Sequence, residues 1–386
     1  MNVLLYVQHL LGIGHVRRAA LLAQAMTAEG DRVTVAYGGF PVPQVDFGAA
    51  TVVRLPAARV ADANFAPILK ADGQPIDDGW KTARAKALLS LHEDLQPDCI
   101  LIETFPFGRR AFRFELHPLL DAAKARRPKP LIASSVRDIL VRKDDPAKEA
   151  AMAEAARRWF DLVLVHGDPS IVPFADSFPF AGHIDDLIVH TGYVAPRRSA
   201  DTPEALNEDG LDEIVVSVGG GAVGLALLET AITAAGRART RKAWRLLAGP
   251  DIPAPDFERL RGQAGDTVIV ERARKDFPAL LARCALSISQ AGYNTVVDVL
   301  AAKCCALLIP FAQSGESEQS QRAELIAARG WARYLPEAGL SADQLAQTVD
   351  ECLATPAREI MPQVDLSGAQ TSVRVLHQKF IGLRSG

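Results

Sequence analysis

The stretch Leu286–Phe311, LSISQAGYNTVVDVLAAKCCALLIPF, constrains the chain most. A short apolar run through Leu286 and Ile288 ends in Ser289-Gln290-Ala291-Gly292. A helical pattern follows from Asn294 to Ala302, and a second apolar run, Cys304–Ile309, leads to Pro310-Phe311. A strand, a glycine turn, a helix and a strand in this order make a parallel βαβ unit. Gly292 suits the tight turn, and Asn294 is the expected N-cap. The helix then begins with free backbone N–H groups aimed out of the carboxyl edge of the sheet, an anion site that fits a diphosphate. Asp298 lies about one turn into the helix, where its carboxylate can take two hydroxyls at once, as a ribose 2′,3′-diol presents them. Glu318-Gln319 adds acceptors and an amide suited to sugar hydroxyls. On spacing alone, a structural unit with a capped helix and a solvated Asp298 accounts for the pattern equally well.

At 386 residues the chain is expected to hold two domains. An apolar fraction of 48% can build full cores, and a net charge of −3 gives no sign of a nucleic-acid binder. The five cysteines are odd in number and form no CxxC pair, and Cys304 and Cys305 sit side by side in an apolar run. Buried reduced thiols of a cytoplasmic protein are expected, and a structural zinc site is not. The start, MNVLLYVQHLLGIGHVRR, lacks a basic leader region and a small-residue cleavage site and reads as a buried strand. No apolar run approaches about 18 residues, so no membrane span is expected.

Val3–Val7 is a compact strand that runs into Gln8–His15, and a helical stripe of Val16, Ala19, Ala20, Ala23 and Met26 follows. Arg32–Tyr37 is the next strand, ending at Gly38-Gly39. A dinucleotide fingerprint needs a third glycine and an acidic residue after the second strand; here position 17 is Arg and the strand ends in glycine, which disfavours a nicotinamide or flavin site. His15 stands where the helix begins, a position that favours a neutral imidazole able to act as a general base. A histidine that merely bonds the loop is the plain alternative. Val52–Arg59 gives a strand and its exit, Val60–Gly79 a polar loop and Trp80–Leu95 a helix. Asp98–Glu103 is a third buried strand, and Glu103 at its end is an acceptor-site candidate or second base, with a salt-bridged Glu as the alternative. Arg109, Arg110 and Arg113, then Lys124, Arg126, Arg127 and Lys129, form basic clusters. These are solvated helix faces or a surface for a phosphorylated acceptor or anionic lipid.

Pro130–Ser135 and Leu162–His166 are further strands, with the helix Pro146–Phe160 between them, so the first half reads as doubly wound. The composition turns polar from Ala195 to Asp212, which marks a linker. Glu213–Val218 is a strand, and Gly219-Gly220-Gly221-Ala222-Val223-Gly224 opens a helix, a second candidate phosphate cradle through Gly220 and Gly221. Strands Trp244–Leu247 and Thr267–Val270, helices Phe277–Cys284, Gln319–Arg329 and Ser341–Ala354, and a tail helix complete a second α/β half. The expected division is 1–195 as an acceptor-binding domain, 196–212 as linker and 213–365 as a nucleotide-sugar domain. Residues 366–386 form a helix placed to pack back on the first domain.

With His15 at the first turn, the glycines at 219–221, and QAGYNTVVDVLAA followed by PF and EQSQRA, the chain resembles the GT-B glycosyltransferases. Its second half resembles glycosyltransferase family 28. The motifs GIGHVRR, SVRDIL, LVLVHGDP and HTGYV resemble a bacterial group known only as predicted glycosyltransferases. The resemblance implies two facing Rossmann-like domains with a cleft between them. By similarity, Asp298 holds the donor ribose in place of the more usual Glu, and Gln319, with Glu318 beside it, meets the donor sugar. The backbone at Arg274 reads the base with Phe277 close by, Ala291 and Gly292 meet the diphosphate, and His15 meets the acceptor hydroxyl. Lys303 stands where a glycine usually ends the helix, and Cys304-Cys305 replaces a small or proline pair.

The implied reaction is transfer of a sugar, most simply from a UDP-sugar, to an acceptor hydroxyl, with His15 as base and no metal or other cofactor. Helix N-termini, glycine amides and Arg272 or Arg274 stabilise the leaving diphosphate. The acceptor is left open among small molecules, lipid-linked sugars and polysaccharides, with peripheral membrane contact expected for a lipid-linked one and no nucleic acid. A nucleotide-sugar hydrolase or epimerase, or a non-catalytic nucleotide-sugar binder, are the alternatives.

Overall fold

The computed structural model describes residues 1–10, 13–42, 45–60, 67–142, 145–196, 208–219, 224–311, 318–355 and 364–385. The chain divides into two compact units, Met1–Ala195 with Asp365–Gly386, and Pro196–Val364. The helical tail therefore belongs to the first unit, and the described residues of the polar linker, 196 and 208–212, to the second.

In the first unit, strands β1 (Asn2–Val7), β2 (Arg32–Tyr37) and β3 (Thr51–Arg54) are followed by a small antiparallel pair, β4 (Arg59–Val60) and β5 (Ile68–Leu69). Strands β6 (Cys99–Glu103), β7 (Leu131–Arg137), β8 (Leu162–His166) and β9 (Ile188–His190) come next. Helices α1 (Gly14–Ala28), α2 (Asp78–Leu95), α3 (Arg113–Ala125), α4 (Pro146–Trp159) and the short α5 (Phe174–Ser177) connect them. The seven-stranded sheet runs β3-β2-β1-β6-β7-β8-β9, and its paired strands are all parallel. A parallel sheet must be covered on both faces, and the strand alternation does this. Val3, Leu5 and Val7 pack with Val16, Ala19, Leu22 and Met26 of α1, whereas Leu4 and Tyr6 pack with Leu88 of α2 and Leu116, Leu119 and Leu120 of α3.

The second unit is built the same way. Strand β10 (Ile214–Ser217), helix α6 (Leu225–Ala235), β11 (Trp244–Ala248), α7 (Ala254–Gln263), β12 (Val268–Arg272) and α8 (Phe277–Arg283) form its first part. Strand β13 (Leu286–Ser289), α9 (Tyr293–Ala302), β14 (Ala306–Leu308), α10 (Glu318–Ala328), β15 (Arg333–Tyr334) and α11 (Ala342–Ala354) complete it. The six-stranded parallel sheet runs β12-β11-β10-β13-β14-β15. The tail helix α12 (Gly368–Ser385) returns to the first unit, where Ala369, Val373 and Leu376 join the core under α1. His377 Nε2 lies 2.9 Å from Asp31, which also takes the N-terminal ammonium at 2.6 Å.

Several local expectations change. Asn294 is not the N-cap of α9: Gly292 occupies that position in extended geometry, with no side-chain cap, and Asn294 lies in the first turn. Helix α2 starts at Asp78, ahead of Trp80, because Asp77 accepts a bond from the Trp80 N–H at 2.8 Å and caps it. The polar loop holds the β4–β5 pair, and α7 lies in a charged stretch whose one buried residue, Leu260, gives no apolar stripe to read. All five cysteines are buried and free. Among the described residues no helix is long and apolar enough to cross a membrane.

Lys303 ends α9 in the left-handed region at φ 51°. An L side chain there costs about 1–2 kcal/mol that glycine does not incur. The exposed lysine side chain offers little packing to lose. Lys303→Gly is therefore expected to raise the stability of the second unit by about 1 kcal/mol. Chemical denaturation checks this, and an unchanged or lower midpoint would remove the strain.

Candidate active site

In an open α/β sheet, ligands sit beyond the carboxyl ends of the strands where the strand order reverses. In the second unit that point lies between β10 and β13. The chain leaving β10 turns through Gly219 at φ +72° and reaches Gly224 at φ +102°, the N-cap of α6. A side chain at Gly224 would meet Val218 at 2.4 Å, so conformation and space both require glycine there. Gly220 and Gly221, the expected cradle, lie outside the described residues.

The chain leaving β13 runs Gln290-Ala291-Gly292 into α9. The Val296 N–H makes the first helical bond, to the Gly292 carbonyl at 3.0 Å, so the N–H groups of residues 293–295 precede the helical ladder. Gly292 has φ −62°, and a side chain on it would meet no atom within 4 Å. What glycine provides here is open space over a helix N-terminus, not a left-handed turn. Asp298 is buried, at 3% exposure, on the inner side of α9, which removes the solvated-helix-face alternative.

The other donor-side residues take roles that the sequence did not foretell. Glu318 is buried and pairs with Arg322 Nη2 at 2.9 Å, while Arg322 Nη1 donates to the Ala291 carbonyl at 2.9 Å. This buried pair holds the turn before α9, so the Glu318 Oε1 expected to meet a sugar is engaged with Arg322. Gln319 Oε1 accepts from the Phe311 N–H at 3.1 Å and ties α10 to the end of the βαβ unit. Arg272 donates to the carbonyls of Gly249 and Ile252 at 3.1 and 2.7 Å and lies over the Phe257 ring at 4.1 Å. Arg274 pairs with Asp276 at 2.6 Å and Asp209 at 2.7 Å. In this structure Arg272 Nη1 is thus turned to two loop carbonyls, and Arg274 is paired with carboxylates. Phe277 is the half-buried first residue of α8.

In the first unit the strand order reverses between β1 and β6, and His15 follows one while Glu103 ends the other. His15 is the second residue of α1, and its side chain is 16% exposed. His15 Nδ1 lies 3.0 Å from Glu103 Oε1, and Arg18, one turn along α1, bonds the same oxygen. Ser135 Oγ donates to Glu103 Oε2 at 2.7 Å. Thr104 donates to Oε1 at 3.0 Å from a backbone held at φ +71°, an uncommon conformation for a β-branched residue. Burial alone would raise the Glu103 pKa, but the Arg18 charge and the bonds from His15 and Ser135 outweigh it and hold the carboxylate ionised. Nδ1 also lies 3.3 Å from Arg18 Nη2, but the ionised carboxylate, which only accepts, is closer at 3.0 Å, so His15 carries its proton on Nδ1. Burial first, and then the charge of Arg109, lower the His15 pKa to about 3 against the opposite pull of Glu103. The imidazole is neutral, and its Nε2 takes no hydrogen bond from the described residues. Glu103, at 1% exposure and bonded on both oxygens, orients His15 and is not a free second base.

Arg18, Thr104, Ser135 and Arg322 were absent from the sequence candidates. Arg18, Ser135 and Arg322 lie inside motifs already noticed, GIGHVRR, SVRDIL and EQSQRA, so the motifs located them but gave no role. Among the described residues, no three His, Cys, Asp or Glu side chains group so as to hold a metal ion.

Residues 215–378 match the Glycosyltransferase family 28 C-terminal domain. A curated relative from Aromatoleum aromaticum is 30% identical over 151 residues, which cover 36% of this chain and 42% of that protein. It is named UDP-N-acetylglucosamine--N-acetylmuramyl-(pentapeptide) pyrophosphoryl-undecaprenol N-acetylglucosamine transferase. A protein of the same name from Chromobacterium violaceum is 42% identical over 71 residues, covering 18% of this chain and 20% of its own. The chain thus spans less than half the length of these relatives. Two solved structures match over nearly the full length at 15% identity: the calicheamicin glycosyltransferase CalG4, with a TM-score of 0.64 and coverage of 100% and 98%, and Acinetobacter baumannii MurG, with 0.63 and coverage of 98% and 100%. The chain is family-28-like in its second unit and has the GT-B fold.

The two neutral histidines, the largely buried His15 and the fully buried His166, have a consequence for stability. Burial lowers the pKa of each to about 3, below the ordinary histidine value of 6.5. Between those limits the unfolded chain binds protons that the folded chain refuses, so stability rises with pH across the window and is lost as pH falls through it. Below the ordinary carboxylate value of 4.5, Glu103 with its lowered pKa adds to the loss. Unfolding of the first unit followed from pH 7 to pH 4 is expected to show a falling midpoint with net proton uptake. A midpoint constant over that range would contradict the two neutral histidines.

Proposed function

We propose that this chain is a glycosyltransferase that moves a sugar from a nucleoside-diphosphate donor, a UDP-sugar, to an acceptor hydroxyl. The observation that carries this reading is the neutral His15, fixed through Nδ1 on an ionised carboxylate, with Nε2 left to accept a proton. A base that must deprotonate an alcohol as it attacks an anomeric carbon needs this form. The family match over residues 215–378 supports the second unit as the donor side.

On that side the donor diphosphate lies against the backbone N–H groups that begin α9, where Gly292 leaves the approach open, and against the glycine turn before α6. Asp298 takes the ribose diol, and Gln319 presents its amide to the sugar. As the bond to the anomeric carbon breaks, these fixed amides meet the charge that gathers on the leaving diphosphate. The mechanism calls on no divalent metal. On the acceptor side, His15 Nε2 takes the hydroxyl proton, and Glu103 and Arg18 hold the imidazole so that it does so without reorienting. Acid–base catalysis by one side chain is worth roughly 10²–10⁴ in rate, and a charged hydrogen-bond partner roughly 1.5–3 kcal/mol in binding.

Paired substitutions separate the two roles. His15→Ala is expected to lower turnover by about 10²–10⁴-fold and leave UDP-sugar affinity unchanged. Asp298→Ala is expected to weaken donor binding by roughly 10- to 100-fold. Calorimetric titration with the donor and initial rates on both variants check this. Full turnover in His15→Ala would remove the base, and unchanged donor affinity in Asp298→Ala would remove the ribose contact.

A further inference from the structure

We infer that Ser135 and His166 are positioning residues for His15: with Thr191 they form a one-way hydrogen-bond chain that ends on Glu103 and fixes which nitrogen of His15 is bare. The inference rests on the proposed role of His15, and it concerns groups that the reaction as described does not use.

The chain of bonds can be followed proton by proton. Ser135 Oγ lies 2.7 Å from Glu103 Oε2 and 2.9 Å from His166 Nε2. Ser135 has one proton, and the ionised carboxylate must receive it, because it has none to give. Ser135 therefore accepts from His166, whose proton is on Nε2. Burial first, and then the charge of Arg18, keep His166 neutral, so its Nδ1 has a lone pair. Thr191 Oγ1 lies 2.8 Å from that Nδ1 and donates to it. The carbonyls of Gly192 at 3.0 Å and Val165 at 3.4 Å compete for the Thr191 proton, but a neutral imidazole already protonated on Nε2 has no N–H to offer Thr191 in return. Every donor in the series points toward Glu103, and the last of them meets the oxygen opposite the one that holds His15.

Each link comes from the end of a different strand of one sheet. His15 follows β1, Glu103 ends β6, Ser135 lies in β7, His166 ends β8 and Thr191 follows β9. All but Glu103 fall in the motifs GIGHVRR, SVRDIL, LVLVHGDP and HTGYV, three of which otherwise have no part in the reaction. Ser135 and His166 have no exposed surface, and Thr191 is 1% exposed. A buried polar series costs stability unless each member is satisfied, and an apolar core would serve packing alone better. Here each member is satisfied in one direction only, which turns the series into a device that holds the Glu103 carboxylate in a single orientation. The charged and titratable groups around the pair are Arg18 on α1, Arg109 after β6 and His166 on β8.

The test uses the full chain with Ser135→Ala, Ser135→Thr, His166→Gln and His166→Phe, the glutamine keeping an N–H near the position of Nε2. Loss of the Ser135 donor leaves more of the Glu103 charge to act on His15, so the His15 pKa, read from its side-chain nitrogen resonances, is expected to rise by roughly one unit in Ser135→Ala. With a UDP-sugar donor, kcat is expected to fall between about 10- and 100-fold with the donor KM unchanged, and the acid limb of the pH–rate profile to move up. Ser135→Thr and His166→Gln should restore both readouts, and His166→Phe should not. An unmoved His15 pKa in Ser135→Ala, or a loss that the conservative variants fail to restore, would overturn the inference. The resonances are read without turnover, so a shifted His15 pKa beside full activity in His15→Ala would uphold the chain of bonds and sink the proposed base instead.

Discussion

A buried negative charge is the constraint on which the first unit depends. Glu103 lies at the end of β6 with 1% exposure, where an unpaired carboxylate would cost several kcal/mol. Arg18 supplies the compensating charge, and His15, Thr104 and Ser135 supply donors. With both oxygens engaged, the carboxylate cannot turn, and it passes that rigidity to the imidazole. His15 sits beside cations and is largely shielded from water, so it stays neutral although it touches an anion. The same arrangement thus accounts for the protonation state, the tautomer and the direction of the free nitrogen.

Topology decides where such an arrangement can form. Both sheets reverse their strand order beside their first strand, and both place their polar residues at that reversal. In the first unit the reversal collects side chains, and in the second it collects backbone amides. The difference follows from the turn residues. Gly292 leaves open space over the N-terminus of α9 and Gly224 turns the chain tightly against Val218 into α6, whereas His15 and Thr104 fill the equivalent places in the first unit with side chains that hydrogen-bond. The Glu318–Arg322 pair does for the Ala291 turn what Arg18 does for Glu103, since each is a buried ion pair that fixes a turn.

Much of this was legible in the residues. The apolar runs gave the parallel strands, and strand ends gave His15, Glu103 and the turn at Ala291-Gly292. Two kinds of fact were not legible. Cap positions depend on backbone angles, so Asn294 read as a cap although Gly292 takes that place. Partners far apart in sequence cannot be read from spacing, so the bonds of Arg272 to Gly249 and Ile252 and of Arg274 to Asp209 were not foreseen. Ser135 and His166 are 31 residues apart, and only the β7–β8 pairing brings them together.

The central claim is that an ionised Glu103 holds His15 neutral with its proton on Nδ1. Side-chain nitrogen NMR of His15 in the full chain at pH 7 measures this directly. The account predicts a neutral ring protonated on Nδ1 and bare on Nε2, with no titration until well below pH 6.5. An imidazolium at neutral pH, or a ring protonated on Nε2, would contradict it.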